Sequence, residues 1–149
     1  MKIVKKLSSS GASKDLLVEL ESQIGATLPD DYRRFLEEEN GGRPEPSGVV
    51  FQTMRGTEDA RVRYFLTVDR AEPLYTVFGF LKRFQGRLPP KMVPIASDSL
   101  GNLFLLNLEV SGYGAVLFWD HELQSMQGTS SANLTTIAES FRTFVDSLE

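Results

Sequence analysis

The amino-acid sequence predicts an α+β fold: a single domain in which a largely antiparallel mixed sheet of about five strands is flanked by about four helices. Three observations support this prediction. The 149 residues match the usual size of one domain, and the 41% that are apolar are enough for a self-sufficient core. Helical and extended patterns occur in separate runs and do not alternate one by one. Two apolar runs joined by a glycine-rich turn indicate an antiparallel hairpin.

The N-terminal third contains two helical patterns. The first is expected from about Ser13, a good N-cap, to Ile24, where Gly25 ends it. The second begins around Pro29, which suits the first turn of a helix. It ends at 40–42, an Asn-Gly-Gly run that can adopt the left-handed conformation of a helix terminus.

The middle of the chain predicts loops, two strands and a third helix. Residues 43–48 and 55–59 are rich in Pro, Gly and charged residues, which favours a loop and a turn. Residues 49–52 and 61–68 are rich in β-branched and aromatic side chains, which favours strands. An apolar stripe at helical spacing predicts the third helix, from Leu74 to Phe84.

The C-terminal part predicts a second group of strands and a last helix. Pro94 suggests that the extended run 92–96 is an edge or the start of a strand. Two apolar runs, 103–108 and 115–120, form the expected hairpin across a glycine-rich turn. The closing helix is expected from about Asn133 to Leu148, with five apolar residues on its buried face.

Charge is distributed unevenly along this chain of net charge −4. Residues 55–91 carry eight basic and four acidic side chains, whereas residues 92–149 carry one basic and seven acidic ones. An acidic surface disfavours nucleic acid and favours a basic partner through its long-range field. The basic cluster formed by Lys82, Arg83, Arg87 and Lys91 lacks the interleaved aromatics and high pI of a nucleic-acid binder.

Composition also limits the chemistry available to the protein and the cellular compartment in which we expect it. There is no cysteine, so the fold uses no disulfide, thiolate metal site or thiol nucleophile. The start, 1–6, is too short and too charged for a signal segment, and no apolar run approaches about 18 residues. We therefore expect a cytoplasmic protein that does not bind membranes.

Several ordered blocks of residues occur in both halves of the chain and together form one pattern. The opening block is an apolar helix followed by Ile24-Gly25-x-x-Leu28-Pro29-x-x-Tyr32, then Phe35-Leu36, then Asn40-Gly41-Gly42. Later blocks are Val93-Pro94-Ile95-Ala96-x-Asp98-x-x-Gly101-Asn102-x-Phe104, then Val116-x-Phe118-Trp119-Asp120-His121-Glu122, and a closing helix with Phe141-x-x-Phe144. In this order the blocks resemble the SUKH superfamily, the family of the fungal cell-wall assembly regulator and of many bacterial immunity proteins. Residues 43–90 match weakly, and whether this segment carries the partner specificity is left open by the sequence.

The resemblance implies a non-catalytic domain, 1–149, that works by binding protein. Many bacterial members neutralise toxins, often nucleases, and fungal members regulate wall assembly. We accordingly expect no enzyme activity, no cofactor and no metal ion, in a monomer whose partner is a protein such as a basic toxin domain. A regulatory or small-ligand-binding module unrelated to toxins remains the alternative.

Candidate partner contacts lie at the turns and ends of the C-terminal hairpin: Asp98, Asn102, Tyr113, Trp119, Asp120 and Glu122. Strand alternation places Phe118 and Trp119 on opposite faces, which predicts one in the core and the other at a surface groove. Trp and Tyr are also favoured at binding hot spots. The acidic run 37–39 is a second possible docking patch or simply a solvated helix end.

Catalytic readings have little support. The run 120–122, Asp-His-Glu, is the only place where a histidine meets carboxylates, but successive side chains of a strand point to opposite faces. A hydrolase using His121 would need a nucleophilic serine, and no serine lies in a Gly-x-Ser-x-Gly elbow. The glycines at 101, 112 and 114 do not form a phosphate-binding loop.

Overall fold

A computed structural model describes residues 1–124 and 133–149. Over these residues it contains four α-helices, namely α1 (Lys14–Ile24), α2 (Asp30–Glu38), α3 (Val77–Arg83) and α4 (Phe141–Asp146). The strands of the same residues are β1 (Lys2–Lys5), β2 (Arg43–Glu45), β3 (Gly48–Thr53), β4 (Gly56–Arg61), β5 (Tyr64–Phe65), β6 (Met92–Ser97), β7 (Leu103–Asn107), β8 (Val116–Trp119) and β9 (Leu134–Ala138). A short 3₁₀ helix, His121–Gln124, follows β8.

The main sheet is antiparallel and has the strand order β5-β6-β7-β8-β9. Its centre is the predicted hairpin, in which Leu103 pairs with Trp119 and Leu106 with Val116. Two smaller two-stranded sheets, β1-β2 and β3-β4, pack around it. The predicted α+β class is therefore confirmed.

The first two helices begin and end as predicted. The side chain of Ser13 accepts a hydrogen bond from the backbone N–H of Leu16 at 3.2 Å, and Gly25 is left-handed with φ of 79°. Such caps satisfy backbone groups that a helix end leaves unpaired. After α2 the chain is left-handed at Asn40, with φ of 53°, and at Gly41, with φ of 88°.

The predicted closing helix is wrong in its first half. Residues 134–138 form β9, and α4 begins only at Phe141, after the N-cap Ser140. Periodicity favours a helix here, but β8 offers an open edge and the β-branched residues Thr135, Thr136 and Ile137 fit a strand. Tertiary pairing therefore overrides the local pattern.

Other departures also reflect pairing between distant segments. The predicted loop 43–48 includes β2, which pairs with β1 near the N-terminus. The predicted turn 55–59 is mostly β4, the second strand of a hairpin with β3. Within 61–68 only Tyr64–Phe65 joins the main sheet, and the third helix is shorter than predicted, because it begins after the N-cap Thr76.

β6 lies between β5 and β7 in the sheet, but β5 pairs only with Ala96 and Ser97, so at Pro94 the paired neighbour is β7 alone. The pairing with β7 shifts register between Pro94 and Ala96. Proline has no N–H to donate, and such an irregularity accommodates it within a sheet.

A chain of aromatic rings joins the helices to the main sheet. Phe35 of α2 lies 5.1 Å, between ring centroids, from both Phe65 and Phe141. Phe104 of β7 continues the series, at 5.3 Å from Phe144 and 5.4 Å from Phe118. These rings belong to the buried cluster that α2, α4 and the sheet share, so the helices and the main sheet form one core.

Candidate acidic binding site

The turn between β6 and β7 is built around the carboxylate of Asp98. Its Oδ1 accepts hydrogen bonds from the backbone N–H groups of Leu100 and Asn102, both at 2.8 Å. Its Oδ2 accepts a third from the side-chain amide of Asn102, also at 2.8 Å. Aspartate favours such turns because its side chain can replace a backbone acceptor. Asp98 is only 9% exposed, so its carboxylate mainly shapes the turn.

Asn102 joins this turn to the end of β8. Its side-chain oxygen accepts from the backbone N–H of His121 at 3.1 Å, while Asp120 Oδ1 accepts from the N–H of Glu122 at 3.0 Å. The imidazole of His121 lies against Gly101, where a Cβ would be 3.2 Å from Nε2. The two turns predicted to carry partner contacts therefore form one connected edge.

The β3-β4 hairpin adds a second wall to this edge. Phe51 on β3 anchors the hairpin, with its ring centroid 5.0 Å from that of Phe118. Arg55 at the hairpin tip contacts Glu58 at 2.9 Å and Asp120 at 3.6 Å.

The resulting cleft has a volume of about 480 Å³, and we call it the acidic cleft. Five carboxylates line it, those of Glu58, Asp59, Asp98, Asp120 and Glu122. The lining also includes Arg61 and His121, so negative charge dominates. Low-dielectric walls of one sign concentrate the field that attracts an oppositely charged partner.

Three contributors to the cleft were missed from the sequence. Glu58 and Asp59 were assigned to a turn but lie on β4. They reach the cleft because the β3-β4 hairpin packs beside the end of β6, about 40 residues further along the chain. Leu100 projects from the rim with 75% of its surface exposed. An apolar residue at the tip of a polar turn was the available signal for it.

Tyr113 and Trp119 lie outside the cleft. Tyr113 is in the β7-β8 turn, at the opposite end of the sheet, where it is 45% exposed and its hydroxyl donates to the carbonyl of Thr27. Partial burial, with the nearby carboxylates of Glu21 and Asp30, raises the pKa of Tyr113.

Trp119 corrects the expectation that one ring of the Phe118-Trp119 pair lines a surface groove. Both rings are buried, and Trp119 is 1% exposed. Its ring packs edge-to-face on Phe84 of the α3 end at 5.6 Å, with the Arg87 guanidinium 5.4 Å from its centroid. Both faces of β8 are covered, which alternation along one strand could not reveal.

Within residues 1–124 and 133–149, no three His, Cys, Asp or Glu side chains converge as a metal-binding set. None of the helices in this part of the chain has the length and apolarity needed to cross a membrane. The carboxylates of the acidic cleft instead border an open surface.

The blocks that form the first helices, this cleft and the last helix match one known family. A sequence model described as the SMI1 / KNR4 family (SUKH-1) matches residues 11–147. The chain belongs to this family. The predicted membership of the SUKH superfamily is thus confirmed, and the match includes the acidic cleft and all six predicted contact residues.

A curated relative is similar to this SUKH-1 chain over most of its length. The SPbeta prophage-derived uncharacterized protein YokK of Bacillus subtilis (strain 168) is 27% identical, in an alignment that covers 91% of this chain and 74% of that protein.

Proposed function

We propose that this SUKH-1 chain is a non-catalytic protein-binding domain that acts as an immunity protein and holds a cognate toxin in an inactive complex. The observation that carries the proposal is the acidic cleft, with its five lining carboxylates. Family membership supports the protein-binding part of the proposal. We also propose that residues 1–149 act as one domain, in the cytoplasm and as a monomer.

A basic toxin surface, such as the nucleic-acid groove of a nuclease, fits the charge of this cleft. Complementary charge accelerates encounter, whereas buried contacts at the centre of an interface mainly set the dissociation rate. Leu100, which is 75% exposed at the rim, is suited to the second role. Charge and an apolar anchor are thus both available at one edge.

The side chains of the cleft divide into two groups. Asp98 accepts hydrogen bonds from the side chain and the backbone N–H of Asn102, so we propose that this pair positions the turn. Asp59 and Glu122 are exposed, and the Asp59 carboxylate forms no ion pair within the described part of the chain. These two carboxylates, with Leu100, are our proposed direct contacts.

The test uses a candidate toxin domain encoded beside this gene, co-expressed with the chain and then purified with it. Wild type should restore growth and bind the toxin domain. The double variant Asp59→Asn with Glu122→Gln should weaken binding by about tenfold, mainly through slower association at low salt. An unchanged dissociation constant would reject the acidic cleft as the docking site.

A charge-matched control distinguishes the cleft from general electrostatics. The double variant Glu37→Gln with Glu38→Gln removes two exposed carboxylates of the second acidic patch, on α2. We expect it to leave affinity within about twofold. A larger loss in this control than in the cleft variant would instead place the toxin on α2.

A regulatory or small-ligand-binding module unrelated to toxins is the second candidate. It is favoured by a separate groove of about 530 Å³ between the end of α1 and α3, a volume usual for ligand sites.

A further inference from the structure

The groove beside α3 has an apolar floor at the end of the sheet opposite to the acidic cleft. It lies where β6 begins, whereas the acidic cleft lies where β6 ends. Its floor is formed by the half-buried apolar side chains of Ile24, Leu81, Leu88 and Met92, with the buried Phe78 and Val93 beside them.

Cations dominate the rim of this groove, although the whole chain has a net charge of −4. Arg70, Lys82 and Lys91 line it, and its lining includes no Asp or Glu. The Arg70 guanidinium stacks 3.9 Å from the Phe78 ring centroid and pairs with Glu19. Lys82 and Lys91 are both exposed, and neither ammonium pairs with a carboxylate of the described residues. Two uncompensated positive charges therefore border an apolar surface.

Lys91 has an unusual backbone as well. Its φ is 58°, in the left-handed region that favours glycine or asparagine. The carbonyl of Lys91 accepts a hydrogen bond from the N–H of Leu108 at 2.8 Å, which holds the residue in this conformation. Backbone strain of this kind clusters at functional sites. A lysine where glycine would fit more easily is a reason to look for a role of its charge.

We propose that the groove beside α3 binds an acidic peptide segment of a protein partner. Apolar side chains of the segment contact the floor, and its carboxylates pair with Lys82 and Lys91. Nucleic acid fits less well, because the two aromatic rings of the lining, Phe78 and Phe84, are each only 8% exposed and cannot stack on bases. This site is separate from the acidic cleft and does not depend on the proposed toxin partner.

The test measures fluorescence anisotropy of a short fluorescein-labelled peptide of alternating Glu and Leu, added to the whole chain. An extended peptide of this pattern presents Leu on one face and Glu on the other. We expect saturable binding, and at least about tenfold weaker binding of the matched Lys-Leu and Glu-Ser peptides. Labelled oligothymidylate should bind more weakly than the Glu-Leu peptide. Laurate, a small anion with an apolar tail, should not displace the bound Glu-Leu peptide.

The variant Lys82→Gln with Lys91→Gly removes both rim charges, and glycine suits the backbone at position 91. It should weaken binding of the Glu-Leu peptide by about tenfold, whereas the control Lys6→Gln with Lys14→Gln, at exposed lysines outside the groove, should change it less than about twofold. Equal losses in both variants, or no binding of the peptide up to about 1 mM, would overturn the proposal. Tighter binding of oligothymidylate, or displacement by laurate, would replace it with a nucleic-acid or a small-anion site.

Discussion

Two substitutions of Asp98 test whether its carboxylate holds the turn between β6 and β7 in place. Replacing it with alanine removes all three hydrogen bonds to its carboxylate, each of 2.8 Å. A bond to a charged group contributes about 1.5–3 kcal/mol, but the freed N–H groups lie near solvent and regain part of this. We therefore expect Asp98→Ala to lower the free energy of unfolding by about 3 kcal/mol.

Asp98→Asn should cost less, because the two backbone bonds share Oδ1 and an asparagine retains that acceptor. Only the bond from the Asn102 amide to Oδ2 is lost, since the new amide presents a donor to a donor. The expected loss is about 1 kcal/mol. Urea denaturation at neutral pH, analysed with the m-value, measures both changes.

The affinity for the partner distinguishes a positioning role of Asp98 from a direct contact between Asp98 and the partner. With the toxin domain of the proposed complex, Asp98→Asn should keep the dissociation constant within about threefold, because Asp98 is only 9% exposed and its carboxylate already accepts three hydrogen bonds. A loss of about tenfold in affinity with unchanged stability would show that Asp98 touches the partner, and the reasoning from burial would fail. Equal stability losses for alanine and asparagine would refute the assignment of the bonds.

Three further substitutions test the fold. Tyr32→Phe should raise the free energy of unfolding by about 1 kcal/mol, because the buried hydroxyl of Tyr32 has no hydrogen-bond partner among the described residues; a lower urea midpoint would contradict this. Gly11→Ala should lower it by about 3 kcal/mol, since the new Cβ would lie 1.8 Å from the carbonyl oxygen of Glu37; an unchanged melting temperature would rule out that contact. The Ser8 hydroxyl, which donates to Asp69 at 2.7 Å, holds the pKa of that carboxyl below its usual 3.8. A carboxyl whose pKa is lowered on folding stabilises the fold above its unfolded pKa, and this stabilisation is lost as the pH falls through the folded pKa. In the Ser8→Ala variant the free energy of unfolding should therefore fall less steeply between about pH 5 and pH 3; an identical pH profile would contradict this.

The sequence by itself determined features that depend on neighbouring residues. The caps of α1, the termination of α2 and the β7-β8 hairpin were all predictable, because each rests on turn chemistry or periodicity within a few residues. The Asp98 turn was also visible, since its bonds span four residues at most. The ordered blocks were enough to predict the family that the match over 11–147 confirms.

Only the tertiary structure decided which distant segments meet. The open edge of β8 converts 134–138 from a predicted helix into β9, and the packing of α3 buries Trp119. The β3-β4 hairpin brings Glu58 and Asp59 to the ends of β6 and β8, which completes the acidic cleft. Pairing and burial depend on surfaces that are far apart in sequence, so periodicity within one segment cannot specify them.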